Sequence, residues 1–308
     1  MTARRPSTPA ALRAFRPRQW VKNAAVAAPF VFALGDASQQ AALGDGSPGI
    51  APSTLLRLAA AIALFCAASS GIYVINDILD VEQDRAHPVK RRRPIASGEL
   101  PVRRAAALAA ALLPAALVGG VILSPAFGAV LGGYVLLQVL YSAWLKHVPL
   151  LDVLSLSAGF VLRAMGGAYA LGVRISNWLL LCAFLLSFFL ALGKRRHEKV
   201  NLNGGTEGTR RALAGYGVRQ LDVLIALAAA GTAAAYAAYA LSPDTAERFG
   251  TRRIAWTIPL VAAGLARYLR LVYRHDKGDA PENVLLTDGP LLAIIGLYVA
   301  AVLAIFFA

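Results

Sequence analysis

Acidic residues are scarce in this chain. Across 308 residues there are 17 Asp and Glu against 31 Lys and Arg, a formal net charge of +14. Cysteine is scarcer still. Cys66 and Cys182 both lie inside apolar runs without metal-ligand spacing, so they read as packing residues, and neither a disulfide nor a thiolate metal centre is expected. The four histidines, His87, His147, His197 and His275, show no metal-pair spacing, and no catalytic role is assigned to them. The N-terminus is basic, but no small-residue cleavage site follows a clean apolar core, so a cleavable signal peptide is not expected. No appended soluble domain is expected, and no inverted repeat is visible. Between residues 36 and 53 there is no Lys or Arg at all.

What the chain has in excess is hydrophobic surface. It is 57% hydrophobic, where average soluble domains are roughly 45–50% apolar. The excess falls in runs close to the ~20 apolar residues that a bilayer-spanning helix needs. The expected fold is an all-α polytopic membrane protein with nine transmembrane helices, near 20–36, 53–76, 104–123, 127–145, 149–171, 176–193, 220–241, 254–273 and 289–308. The domain division is a basic N-terminal segment, 1–19, and a transmembrane domain, 20–308. The first run is the weakest, because Pro29 interrupts it and Lys22 stands at its start.

The charge is distributed unevenly between the two faces. One face collects Arg4, Arg5, Arg13, Arg16, Arg18 and Lys22, then Arg85, Lys90 to Arg93, Arg103 and Arg104, then Lys146. It also takes Lys194 to Arg196, Lys199, Arg210, Arg211 and Arg219, and finally Arg274 and Lys277. The other face has only Arg174, Arg248, Arg252 and Arg253. By the positive-inside rule the basic face is cytoplasmic. The expected location is the cell (cytoplasmic, or inner) membrane, with the N-terminus inside and the C-terminus outside. The same asymmetry accounts for the net charge without nucleic acid, which is not expected as a partner. Membrane lipids are expected partners, and a homo-oligomer is left open.

Residues 72–100, IYVINDILDVEQDRAHPVKRRRPIASGEL, place acid beside base at the cytoplasmic end of the second run. If the helix continues, Asn76, Asp80 and Asp84 stack at i, i+4 and i+8, with Asp77 about 100° round from Asn76. Stacked like charges repel in a bare helix. Two readings remain: a solvated helix exit, or a cation site. Oxygen-only donors suit Mg²⁺, which keeps several waters and is held by one or two carboxylates plus substrate phosphates. Lys90 and Arg93 would then meet the remaining phosphate oxygens.

At these residues the chain resembles the UbiA superfamily of intramembrane prenyltransferases. The family's first Asp-rich motif, N-D-x-x-D-x-x-x-D, is met by Asn76, Asp77, Asp80 and Asp84. The resemblance implies a UbiA-like bundle with a central cavity open to the cytoplasmic side, and catalysis at the motif with Mg²⁺ on Asn76, Asp80 and Asp84. Typical members carry a second Asp-rich motif after the sixth span. Here that place reads GKRRHEKV, residues 193–200, with Glu198 its only acid. This departure is similar to one branch, which transfers 5-phosphoribose from phosphoribosyl pyrophosphate (PRPP) to a polyprenyl (decaprenyl) phosphate and releases pyrophosphate. In that branch the reaction is a step toward lipid-linked arabinose for cell-wall arabinan. Further stretches of the same kind are RPRQWVKN (16–23), HPVKRRRPIASG (87–98), YSAWLKHVPLLDV (141–153), FVLRAMGG (160–167) and GKRRHE (193–198).

The remaining candidates each carry a structural alternative. Lys22 is either a snorkelling interfacial lysine or a PRPP contact. Tyr73 lies one turn before Asn76 and is either packed or within reach of the ligand. Lys146 is either a lone positive-inside residue or a PRPP contact. Arg163 lies well inside the fifth span, where an arginine faces a cavity or a partner, so a PRPP phosphate contact stands against a structural ion pair. Lys194, Arg195, Arg196 and Glu198 would meet the lipid phosphate, or anionic headgroups non-specifically. Two rival functions are an aromatic prenyltransferase of quinone synthesis and a lipid-phosphate transporter or binding protein.

Overall fold

The computed structural model describes residues 8–44, 49–201, 211–274, 284 and 287–307. Arg4, Arg5, Arg210 and Lys277, expected on the basic face, lie outside the described residues, as does His275. The described residues are helical, without strands. A short α1 (Ala10–Ala14) leads into a 3-10 segment (Pro17–Ala27), α2 (Ala28–Leu34) and α3 (Ala37–Leu43). Then come α4 (Pro52–Leu79), α5 (Val81–Ala86), α6 (Val102–Leu123), α7 (Pro125–Ala143), α8 (Leu151–Leu171) and α9 (Asn177–Asn201). The chain ends with α10 (Arg211–Ala214), α11 (Val218–Leu241), α12 (Pro243–Phe249), α13 (Ile258–Arg274) and α14 (Gly289–Phe307).

Among the described residues eight helices are long and apolar enough to cross a membrane: α4, α6, α7, α8, α9, α11, α13 with the turn before it, and α14. They match the later eight expected spans. Pro52 and Pro125 open α4 and α7 at positions where a missing N–H removes nothing from the helix. Pro114 lies inside α6, a placement membrane helices tolerate because freed carbonyls find other partners. α9 runs eight residues past the expected end at 193, because its polar last turns are held by acids from neighbouring helices rather than released to solvent.

The first expected span takes another form. Residues 17–27 wind as a 3-10 helix and only 28–34 as α-helix. Runs of 3-10 helix beyond about four residues are uncommon, and this one has 11. Its cause is visible in the packing. Trp20 gives its indole N–H to Ser70 Oγ at 3.1 Å, Asn23 is buried against Cys66, and Val26 is fully buried. These residues are three apart, and three residues per turn puts them on one edge. That edge lies along α4 and α8, where Gly167 leaves room for the carbonyl of Val26.

Among the described residues the two largest apolar clusters lie side by side in the bundle. Phe65, Phe127, Leu131 and Tyr134 gather Val26 with α4, α6, α7 and α8. Phe189, Leu192, Leu221, Ile225, Tyr268 and Leu271 gather α9, α11 and α13. The helix pair α8 and α9 joins them.

Candidate functional site

The motif sits where α4 ends. The helix breaks at Asp80, whose φ of −94° and ψ of 10° tighten the turn before α5. The expected stack is therefore divided. Asp77 and Asp84 turn inward, each 2% exposed, while the Asp80 side chain stays about one-third exposed. The inward pair converges on Arg93, whose Nη1 donates to Asp77 Oδ1 at 3.1 Å and Asp84 Oδ2 at 2.6 Å. Arg16 also pairs with Asp77 and lies over the Tyr73 ring, 5.1 Å from its centroid.

Arg93 reaches this position because residues 94–100 fold back instead of hanging in solvent. Ile95 and Leu100 are buried with Ala14, Val74, Ala105 and Ala109, and Arg85 Nε donates to the Ala96 carbonyl. Lys90 and the arginines of the short turn 90–92 remain exposed. Lys146, in the turn after α7, brings its Nζ within 3.5 Å of Asp80 Oδ1. Lys22 donates to Gln19 Oε1 at 2.6 Å.

The fit to Mg²⁺ follows from this division. Among the described residues no group of three or more His, Cys, Asp or Glu side chains gathers as a metal site. Asp84, expected as a ligand, lies buried beneath Arg93, so its oxygens hold the loop. The oxygens of Asn76 and Asp80, one helical turn apart, are left on the accessible side. One carboxylate and one carboxamide do not cage a cation. They do fit Mg²⁺ that keeps its waters and takes phosphate oxygens from a substrate.

Arg163 is 4% exposed and is held by neutral protein acceptors. Its Nε donates to Asn23 Oδ1 at 2.8 Å, its Nη1 to the Gly159 carbonyl at 2.9 Å and its Nη2 to Tyr134 Oη at 2.9 Å. The rings of Tyr134 and Phe160 stack beside it. No carboxylate pairs with it among the described residues. A membrane-buried guanidinium is tolerated here because neutral acceptors and π-faces surround it. It fastens the 3-10 segment to α8.

The basic cluster on α9 also divides. Arg195 is 1% exposed, and its Nε donates to Asp152 Oδ2 at 2.5 Å while Nη1 pairs with Glu198. Tyr216 donates to Asp152 Oδ1 at 2.7 Å, and its oxygen accepts from the Leu150 backbone N–H at 2.5 Å. Burial, then the bond to Asp152, pushes the Tyr216 hydroxyl pKa above its ordinary value. Leu150 has a positive φ of 65°, rare for a branched residue, and this hydroxyl holds it. Arg196 donates to Asp222 Oδ1 at 2.5 Å and lies 4.3 Å from the centroid of Tyr273. Arg195, expected at the lipid phosphate, is instead enclosed by Asp152 and Glu198, and of the three only the Glu198 side chain, 22% exposed, reaches the surface.

The end of α7 joins the two clusters. Tyr141 Oη accepts from Arg195 Nη2 at 3.4 Å, and five residues on Lys146 faces Asp80. Sequence reasoning brought Asn76, Asp77, Asp80, Asp84, Arg93, Tyr73 and Lys146 to one place. It missed Arg16, Asn23, Asp152, Tyr216 and Asp222. Asp152 had a signal, being an acid inside an apolar run. Arg16 had only its place in RPRQWVKN.

A sequence model of the UbiA prenyltransferase family matches residues 33–287. The chain belongs to the UbiA prenyltransferase family. Among UbiA relatives, it is 36% identical over 286 residues to the decaprenyl-phosphate phosphoribosyltransferase of Corynebacterium glutamicum, covering 90% of this chain and 80% of that one. It is 35% identical over 301 residues to the enzyme of the same name from Mycolicibacterium smegmatis, covering 94% and 92%. In fold it is similar to a UbiA homologue from Archaeoglobus fulgidus bound to GPP and Mg²⁺, with a TM-score of 0.70 and 20% identity over 97% of this chain and all of the other.

Proposed function

We propose that this UbiA-family protein transfers 5-phosphoribose from PRPP to a polyprenyl phosphate, releasing pyrophosphate. The observation that carries the reading is the end of α7, which places an acidic and a basic cluster side by side: Lys146 at Asp80, Tyr141 at Arg195. The names of the relatives from Corynebacterium and Mycolicibacterium support it.

Asn76 and Asp80 would hold Mg²⁺, which supplies charge neutralisation to the departing pyrophosphate. Lys146, Lys90 and Lys22 bind the other phosphate oxygens of PRPP. Arg93 uses one nitrogen to bind Asp77 and Asp84, and its remaining N–H groups point the same cluster's charge toward substrate. Tyr73 and Arg16 close the inner side. With the leaving group held, C1 of the ribose develops oxocarbenium character, and the lipid phosphate attacks from the opposite face with inversion. No general base is required, because a phosphate monoester with a second pKa of about 6 is largely dianionic at pH 7. Lys194 and Arg196, at the rim of α9, receive the lipid phosphate, while buried Arg195 sets the position of the helix end.

The 3-10 segment and α2 together supply a ninth crossing. At ~2.0 Å per residue for 11 residues and ~1.5 Å for 7, they span about 32 Å, close to the ~30 Å hydrocarbon thickness. With the basic face cytoplasmic, the motif meets PRPP and the C-terminus lies outside.

The test uses purified protein in liposomes with labelled PRPP and decaprenyl phosphate. The expected product is a labelled lipid formed with release of pyrophosphate. Prenylation of 4-hydroxybenzoate from a polyprenyl diphosphate, with PRPP untouched, would reject the reading.

A further inference from the structure

A cavity of about 460 Å³ runs through the half of the bundle that faces away from the motif. It is walled by α2, α9, α11, α13 and α14, with Phe32, Leu186, Phe189 and Ile294 typical of its surface. Along α9 the wall extends from Trp178 to Leu190, about 18 Å at 1.5 Å per residue. Neither the motif nor residues 194–198 line it. Protein interiors hold few voids larger than a water, and an apolar void is not filled by water. Leu186 and Ile295 on the wall are 43% and 39% exposed, so the space communicates with the surrounding hydrocarbon. A single alkyl chain suits its length and chemistry.

The charged residues of the wall decide which kind of chain. They are Asp36, Arg174 and Arg248, all at the end away from the motif. Asp36 is buried and already satisfied. It accepts from the Ser38 N–H at 3.0 Å, from Gln39 Nε2 at 2.6 Å, and lies 3.5 Å from Arg248 Nε. The same Gln39 accepts from the Arg174 backbone N–H at 2.7 Å, which ties the two arginines to one rim. Both side chains are exposed there. The loops of this face carry four arginines and no lysine, and two of the four line this one cavity. Cations on this face run against the charge bias that orients the protein. An isoprenoid tail arriving from the motif side needs no cation at its far end, whereas an anionic headgroup seated at this end does.

We propose that this cavity holds an acyl chain of an anionic phospholipid from the leaflet opposite the motif, with its phosphate on Arg174 and Arg248. The inference is independent of the transferase reading. It makes the protein a lipid-binding one on both faces.

The test reconstitutes the full chain in nanodiscs of equal phosphatidylglycerol and phosphatidylcholine, and counts retained lipids by native mass spectrometry. The wild type is expected to retain one phosphatidylglycerol, preferred about tenfold over phosphatidylcholine, as for one charge-assisted hydrogen bond. Arg174→Gln with Arg248→Gln should bring that preference to parity. Ala183→Trp, which fills the cavity, should lose the retained lipid whatever its head. Raising salt on the wild type alone should weaken the preference, since the rim is solvent-exposed, so the result does not depend on the variants folding. Equal retention of both lipids by the wild type would overturn the proposal. So would an unchanged preference in the double variant, or retention of polyprenyl phosphate alone.

Discussion

Gly167→Ala is the sharpest perturbation the structure offers, because the new methyl would meet backbone rather than a side chain that can turn aside. It runs into the Val26 carbonyl oxygen and lies 2.9 Å from the carbonyl carbon. Carbon atoms ordinarily rest about 3.5–4.0 Å apart, so the 3-10 segment must retreat by roughly 1 Å. Overpacking of this kind costs about 1–3 kcal/mol. The retreat also stretches the Arg163 to Asn23 bond from 2.8 Å to about 3.8 Å, beyond hydrogen-bond range. A buried donor left unsatisfied adds about 1–3 kcal/mol. The total loss of stability is about 2–6 kcal/mol. The same segment carries Lys22 and leads back to Arg16, so the substrate groups shift with it. Misplacement by about 1 Å costs up to ~10²-fold in rate, and we expect a rise of at least about tenfold in the KM for PRPP with the lipid KM little changed. Gly133→Ala, where an added methyl meets nothing within 4 Å, is the control. The assay is thermal unfolding and two-substrate kinetics of each variant in nanodiscs. Gly167→Ala with wild-type stability and a PRPP KM within about twofold of wild type would refute the reasoning, since it would mean the segment is not held at this point.

Asp80→Ala should abolish transfer with little loss of stability, and EDTA should do the same to the wild type, whereas Asp84→Ala should destabilise by leaving Arg93 half-paired; activity and unfolding measured on both variants separate these roles. Arg195→Ala should cost about 3–5 kcal/mol, because it strands Asp152 without its cation, while Lys194→Ala should chiefly raise the KM for the lipid phosphate. Cysteine placed at Arg91 should be labelled only from the cytoplasm and one at Glu247 only from outside, in a Cys182→Ser background; the reverse pattern would place the motif on the wrong face. The raised pKa of Tyr216 favours the folded state while the hydroxyl is protonated. Its contribution is present below the unfolded value of about 10 and is lost as pH rises above it, so Tyr216→Phe should flatten the alkaline fall in stability seen by denaturation.

Much of this was legible in the sequence, and the parts that were not share a cause. Eight apolar runs became eight long helices, because length and hydropathy fix a membrane helix with little help from neighbours. The motif's place at the end of α4 followed in the same way. What the one-dimensional pattern hid was pairing. Asp80 and Asp84 are equivalent acids on a helical wheel, and only the fold-back of residues 94–100 makes one accessible and the other buried under Arg93. Arg195 looked like part of a basic patch because its partner Asp152 is 43 residues earlier in the chain. Arg163 pairs with Asn23 across 140 residues. The first span misread as α-helix because its inward positions, half-buried Trp20 and buried Asn23, Val26 and Pro29, repeat every third residue rather than at 3.6.

That period makes the first segment intolerant of changes in length. In a 3-10 helix each residue advances by about 120°, so side chains form three straight columns. Trp20, Asn23 and Val26 share one column and Gln19 and Lys22 another. A residue inserted or deleted between 20 and 26 would turn everything on one side by a full column. Lys22 or Arg16 would face hydrocarbon or the wrong helix, and no nearby loop could absorb the turn before α2. Homologues and engineered variants should therefore change letters freely on the outward column of residues 17–27 but keep their number.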